Sequence, residues 1–251
     1  MTGAGFFLLV AAGVGGGLAG SIAGLASLVS YPALLATGLS PLPANVTNTV
    51  ALVFSSIGSV HGSRPELLGQ SPRVRRLGAV GLAGGITGGA LLLATPPGKF
   101  ELIVPWLVGA ASLAILAAPT PQELEGHHQG HDGRAITFVV FLIAVYGGYF
   151  GAAAGVFLLA ALLVSTADTY ARSNAVKNVV LGLANGVAAL AFVLFGPVRW
   201  SSVLPLAAGF LLGGRVGPVV VRRAPAAPLR VVIALAGVGL AVRLGIDAYG
   251  T

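Results

Sequence analysis

Long apolar segments separated by short polar ones run along the whole chain, and two of the apolar segments have an awkward length. Residues 4–37 are uncharged and almost entirely apolar, too long for one membrane span of about 20 residues and too short for two with a turn. Something must interrupt them. Gly13, Gly15, Gly16, Gly17, Gly20 and Gly24 are the candidates, because glycine weakens a helix interior and lets other backbone approach closely. A broken helix or a re-entrant hairpin fits, provided that protein or water covers the break. Residues 135–166 restart the pattern, with Gly147, Gly148, Gly151 and Gly155 as interruptions.

Each awkward segment leads into a helix with a polar start. Thr37 to Pro43 reads as a turn and delivers the chain into a helix expected over Ala44 to His61, on which Asn45, Asn48 and Thr49 share a face. Arg64, Glu66, Arg73, Arg75 and Arg76 then read as a basic loop, followed by spans from Leu77 to Thr95 and from Phe100 to Ala117. In the second half Asp168 and Arg172 precede a helix from Ser173 to Phe195. Spans from Ser201 to Val221 and from Leu229 to about Leu244 complete it. The expected fold is an all-α polytopic membrane protein with a first repeat over 1–118, a polar linker over 119–134 and a second repeat over 135–251.

Composition narrows the class. With 251 residues, 56% of them hydrophobic and 8% charged, the chain lies far from soluble domains, where about a quarter of residues are charged. Met1 to Ala12 carries no basic residue, so a cleaved leader is not expected. The net charge of +7 falls mainly between apolar segments, which points to orientation in a bilayer rather than to nucleic acid. With no cysteine, thiol chemistry, thiolate metal sites and disulfides are excluded. His127, His128 and His131 lie in the linker and read as solvated rather than as metal ligands; no metal and no cofactor are expected.

The two halves match. An offset of 129 carries Asn45 to Asn174, Asn48 to Lys177, Thr49 to Asn178 and the pair Gly84, Gly85 to Gly213, Gly214. Upstream of the polar helix an offset of 131 carries Gly16, Gly17, Gly20 and Gly24 to Gly147, Gly148, Gly151 and Gly155. A collinear run of this kind argues duplication. Basic residues then indicate the orientation of the copies. With a broken element that re-enters and three further crossings per copy, Arg64, Arg73, Arg75, Arg76, Arg134, Arg172, Arg222, Arg223 and Arg230 share one side against Lys99, Arg199 and Arg243. Nine against three is a better split than the seven against five given by four full crossings. Inverted repeats are therefore expected, a layout that puts a binding site between broken helices.

Several stretches resemble the sulfite exporter TauE/SafE family: Tyr31-Pro32-Ala33-Leu34-Leu35, Ala44 through Leu52, Gly147 through Val156, Asn174 through Asn178, and Phe195 through Trp200. The resemblance covers nearly the whole chain. It implies a multi-pass carrier of the bacterial inner membrane that moves sulfite or an organosulfonate such as sulfoacetate. A channel, or a carrier of another small organic anion, is the alternative.

Such an anion needs donors and positive potential. Helix amino termini supply both, and asparagine amides add neutral donors. The expected substrate-binding residues are Asn45, Asn48, Thr49, Asn174, Lys177 and Asn178, with Ser27, Tyr31, His61 and Arg215 as secondary candidates. Each has a plainer reading: Asn45 and Asn174 as helix caps, Lys177 as an interfacial snorkelling residue, Arg215 paired with a carbonyl or lipid phosphate. Enzymatic chemistry is not expected, since the acidic residues fall in loops or near span ends. No phosphate-binding loop for nucleotide-driven pumping is present either. The expected partners are a small anion, the bilayer, and a coupling proton or other ion; self-association is left open.

Overall fold

The computed structural model describes residues 2–117, 133–166, 168–221 and 227–250. The linker histidines, Arg222 and Arg223 lie outside them. The described residues form helices α1 (Gly3–Ala23), α2 (Ala26–Ala36), α3 (Pro41–Gly62), α4 (Arg64–Leu67), α5 (Ser71–Ala94) and α6 (Pro97–Ala117) in the first half. The second half contributes α7 (Gly133–Tyr149), α8 (Ala154–Ser165), α9 (Tyr170–Phe195), α10 (Trp200–Val221) and α11 (Ala227–Tyr249). Among the described residues six helices are long and apolar enough to cross a membrane: α1, α5, α6, α9, α10 and, over Val231–Tyr249, α11. The 22-residue α3 has the length. Its buried Asn45, Thr47, Asn48, Thr49, Ser55 and Ser59 make it more polar than the rest.

Both awkward segments are broken. α1 ends on Gly24, whose φ of 77° is left-handed. Its N–H bonds Gly20 O at 2.9 Å and the N–H of Leu25 bonds Ala19 O at 3.2 Å, the paired closure that glycine permits just past a helix end. The second break spans Phe150 to Ala153, where Gly151 is left-handed with φ 77° and Ala153, unusually for a residue with a Cβ, with φ 61°. Tyr146 donates to Ala152 O at 2.7 Å and braces this turn. The two breaks touch. A Cβ on Gly24 would overlap the Gly155 backbone, and one on Gly155 would overlap Gly24. Protein therefore covers the exposed carbonyls that lipid could not satisfy.

The halves exchange helices. α1 packs most extensively on α10, and α7 on α5. Directions follow from the contacts. Gly13 meets Leu206 and Phe210 while Gly17 meets Phe210 and Gly214, so α1 and α10 run parallel. Gly84 meets Phe141 and Val145 while Gly88 meets Val145 and Tyr149, so α5 and α7 also run parallel, and Gly81, Gly85 and Gly89 set α9 parallel to α5. α3 runs with α10, since Gly58 meets Leu211 and Gly62 meets Pro218. Against α9 it is antiparallel: Val46 touches Gly196 and Ser56 touches Gly182. α6 and α11 are antiparallel, with Ser112 against Gly237 and Tyr249 donating to Leu102 O.

Three helix starts differ clearly from expectation. Arg73, Arg75 and Arg76 are not in a loop but in the first two turns of α5, which begins at Ser71 with Pro72 at a position that needs no helical N–H. The two polar helices begin earlier than expected, at Pro41 and Tyr170. Proline at the first turn extends α3 backwards, and Thr169 caps α9 by accepting from Arg172 N.

Not every glycine serves close packing. At Gly186, inside α9, nothing lies within 4 Å of where a Cβ would stand. Gly186→Ala is expected to raise stability by about 0.5–1 kcal/mol through helix propensity alone. Thermal denaturation in detergent measures it, and a fall in Tm would mean that this face carries a contact.

Candidate functional site

The helix pairing carries α3 and α9 to the ends of the broken helices, each to the one from the other half. Asn45 of α3 donates from Nδ2 to Tyr149 O, the last carbonyl of α7, at 2.9 Å. Asn174 of α9 donates to Ser21 O of α1 at 2.8 Å. Two more groups on the same face of α9 do likewise: Lys177 Nζ donates to Gly20 O at 2.9 Å and Tyr170 to Ile22 O. The spacing of 170, 174 and 177 follows the helical repeat, so one stripe of α9 engages the final carbonyls of α1. A cation there also faces the negative end of the α1 dipole.

These two asparagines are therefore not caps of their own helices. Each is the fifth residue of its helix, one turn inside, and its amide closes a helix from the opposite half. Asn48, Ser27, Thr49 and Tyr31 find partners within the first half. Asn48 Oδ1 accepts from Ser30 Oγ at 2.6 Å and its Nδ2 donates to Ser27 Oγ at 3.2 Å. Thr49 bonds Asn45 O at 3.0 Å. Tyr31 reaches Pro41 O at 3.4 Å and stands edge-on to Phe150. His61 and Arg215 have exposed side chains.

The second-half equivalents of Asn48 and Thr49 behave differently. Lys177 and Asn178 line a cavity of about 60 Å³ together with Gly20, Gly24, Ser27, Leu52, Ser55, Ser56, Ser59, Gly151, Gly155, Leu181 and Asn185. Several of these are related by the same offsets of 129 and 131: Gly20 with Gly151, Gly24 with Gly155, Leu52 with Leu181, and Ser56 with Asn185. The cavity thus draws residues at matching sequence offsets from both halves. It lies beside the contact between the breaks, toward the later turns of α3 and the early turns of α9. His61 and Arg215 do not line it.

Its chemistry is that of a donor site. Lys177 is 1% exposed, and the one bond its ammonium makes leaves N–H groups to give. Asn178 is 6% exposed, and its Nδ2 is buried without a partner. An unsatisfied buried donor costs about 1–3 kcal/mol, which an acceptor bound in the cavity would recover. Among the lining residues no side chain is acidic, so a cationic guest finds no countercharge. Three other buried atoms lack partners, Asn45 Oδ1, Asn174 Oδ1 and Ser173 Oγ, but these residues are not in the lining. Among the described residues no cluster of histidine and acidic side chains could hold a metal ion.

Asn185 was not singled out from the sequence. The available signal was its spacing of seven from Asn178, two turns along the same helix face, and its repeat relation to Ser56.

Comparison with known proteins agrees with this picture of a membrane chain. The sulfite exporter TauE/SafE family matches residues 9–244. The probable membrane transporter protein YfcA of Escherichia coli (strain K12) is 26% identical over 235 residues, covering 93% of this chain and 87% of the relative. A probable membrane transporter protein, ORF9, of Sinorhizobium sp is 26% identical over 246 residues, covering 96% and 92%. No solved structure matches the chain.

Proposed function

Because the chain belongs to the sulfite exporter TauE/SafE family, and is a multi-pass membrane transporter of that type, we propose that it carries a small sulfur oxyanion bound between Lys177 and Asn178. The observation that supports the reading most directly is the buried, unpartnered Asn178 amide beside the Lys177 ammonium in a cavity without acids. An oxyanion offers acceptors to both. The volume favours the smallest members of the class: about 60 Å³ holds roughly four to six water centres at about 10–15 Å³ each. Sulfite, one sulfur with three oxygens, matches that space. Sulfoacetate is about twice as large and carries a second anionic group, so it requires the cavity to open.

We also propose that the two halves are inverted repeats in the inner membrane. The supporting facts are the helix directions: α3 is antiparallel to α9, and α6 to α11, while α1 follows α3 and α7 follows α9. Each of these long helices thus opposes its partner in the repeat. The arginine-bearing ends of α5, α7 and α9 lie together, Arg73 paired with Asp168, Arg172 donating to Leu68 O and Arg76 beside Gly133. The positive-inside tendency makes that the cytoplasmic end. The cavity then lies in the cytoplasmic half of the site.

The test is a binding screen of the purified protein against sulfite, thiosulfate, sulfoacetate and taurine, with sulfate and acetate as controls. Sulfite is expected to bind, and Asn178→Leu to weaken it about tenfold, the loss of one hydrogen bond to a charged ligand. Unchanged sulfite affinity in a folded Asn178→Leu protein would remove this cavity from the mechanism.

A further inference from the structure

A second charged recess lies on the outer surface, between α5 and α7. It is an open groove of about 810 Å³, lined by Arg76, Val80 and Ala83 from α5 and by Arg134, Phe138 and Phe141 from α7. The cavity around Lys177 shares none of these residues. Because the two helices run parallel, both arginines fall in an opening turn or two at the same end. Gly133, with no side chain, lets the Arg76 guanidinium lie against the start of α7. The apolar residues follow further in: Val80 and Ala83 stand four and seven positions past Arg76, and Phe138 and Phe141 four and seven past Arg134. At 1.5 Å per residue that is about 6–10 Å deeper along each helix.

Two cations above a wide apolar trough on a bilayer-facing surface is the layout of a lipid headgroup above its chains. Among the described residues no acidic side chain lines the recess, and Phe138 is 63% exposed within it. We propose that this groove binds one anionic phospholipid, its phosphodiester held between Arg76 and Arg134 and an acyl chain laid along Val80, Ala83, Phe138 and Phe141. Guanidinium groups favour phosphate through paired, charge-assisted hydrogen bonds, and basic pockets between spanning helices select anionic headgroups. A free phosphate would use the arginines alone. The lipid also covers the phenylalanines.

The full chain, purified in a neutral detergent, is mixed with micelles containing dioleoyl phosphatidylglycerol, dioleoyl phosphatidylcholine, or soluble glycerol phosphate. Tm and lipid adducts in native mass spectrometry are the readouts. Phosphatidylglycerol is expected to raise Tm by several degrees, as a ligand of the folded state does, and to give a one-lipid adduct. The double variant Arg76→Gln, Arg134→Gln should lose most of that shift and about tenfold in adduct abundance. Ala83→Trp, which fills the trough and leaves both arginines, should lose them too, and serves if the double variant does not fold. An equal shift with phosphatidylcholine, an equal shift with glycerol phosphate, or a full shift in either folded variant overturns the proposal.

Discussion

Lys177→Met is expected to lower sulfite affinity about a hundredfold or more while leaving the protein folded. The ammonium is buried and makes one hydrogen bond, to Gly20 O, so N–H groups remain for a ligand. Hydrogen bonds to charged groups contribute about 1.5–3 kcal/mol each, and losing one or two of them together with the charge attraction removes about 3 kcal/mol, roughly a hundredfold. Methionine keeps most of the side-chain volume. It also removes a buried charge that costs several kcal/mol to desolvate, and Gly20 O keeps its bond from Gly24 N. Tm should therefore stay the same or rise. Calorimetric titration of wild type and variant decides the matter: affinities within threefold of each other would assign Lys177 to closing the end of α1 and nothing more.

Gly24→Ala should destabilise the protein strongly, because it combines two separate costs. At φ 77° a residue with a Cβ costs about 1–2 kcal/mol, and the added atom would overlap the Gly155 backbone, where overpacking costs about 1–3 kcal/mol more. The sum, about 2–5 kcal/mol, is a large fraction of a marginal stability. Extraction yield, monodispersity in detergent and Tm all report it, with Gly186→Ala as the control whose Cβ meets nothing. A Gly24→Ala protein with wild-type Tm would show that the two breaks are not pressed together. Because the contact joins the halves at equivalent positions, the same variant should disturb the cavity that both breaks line.

Much of the architecture was legible because it follows from local rules. Lengths of 34 and 32 uncharged residues fit neither one span nor two, and the chain breaks near the glycines within them. The asparagines of α3 and α9 were also recognisable, since buried amides in apolar helices demand partners. Their partners were not. Asn45 closes α7 and Asn174 closes α1, over separations of 104 and 153 residues, and no periodicity within a helix encodes which distant carbonyl an amide will meet. The same limit applies to Asn48 and Lys177. They stand at the same offset of 129 as Asn45 and Asn174, yet Ser27 and Ser30 satisfy the first and a cavity adjoins the second. The candidate stretch could be found from composition and repeat; the division of roles between its two copies could not.

The amino-acid order by itself determined an all-helical membrane chain with two glycine-broken elements and paired amide-bearing helices, because hydrophobic length, glycine and buried polarity act within a few turns of where they occur. Only the tertiary structure decided that helices are exchanged between the halves, that the breaks meet at Gly24 and Gly155, and that Lys177 and Asn178 rather than their counterparts border the cavity. Those outcomes depend on which backbones approach closely enough to touch and which buried donors are left over once every nearer acceptor is taken. Both are properties of the packed whole.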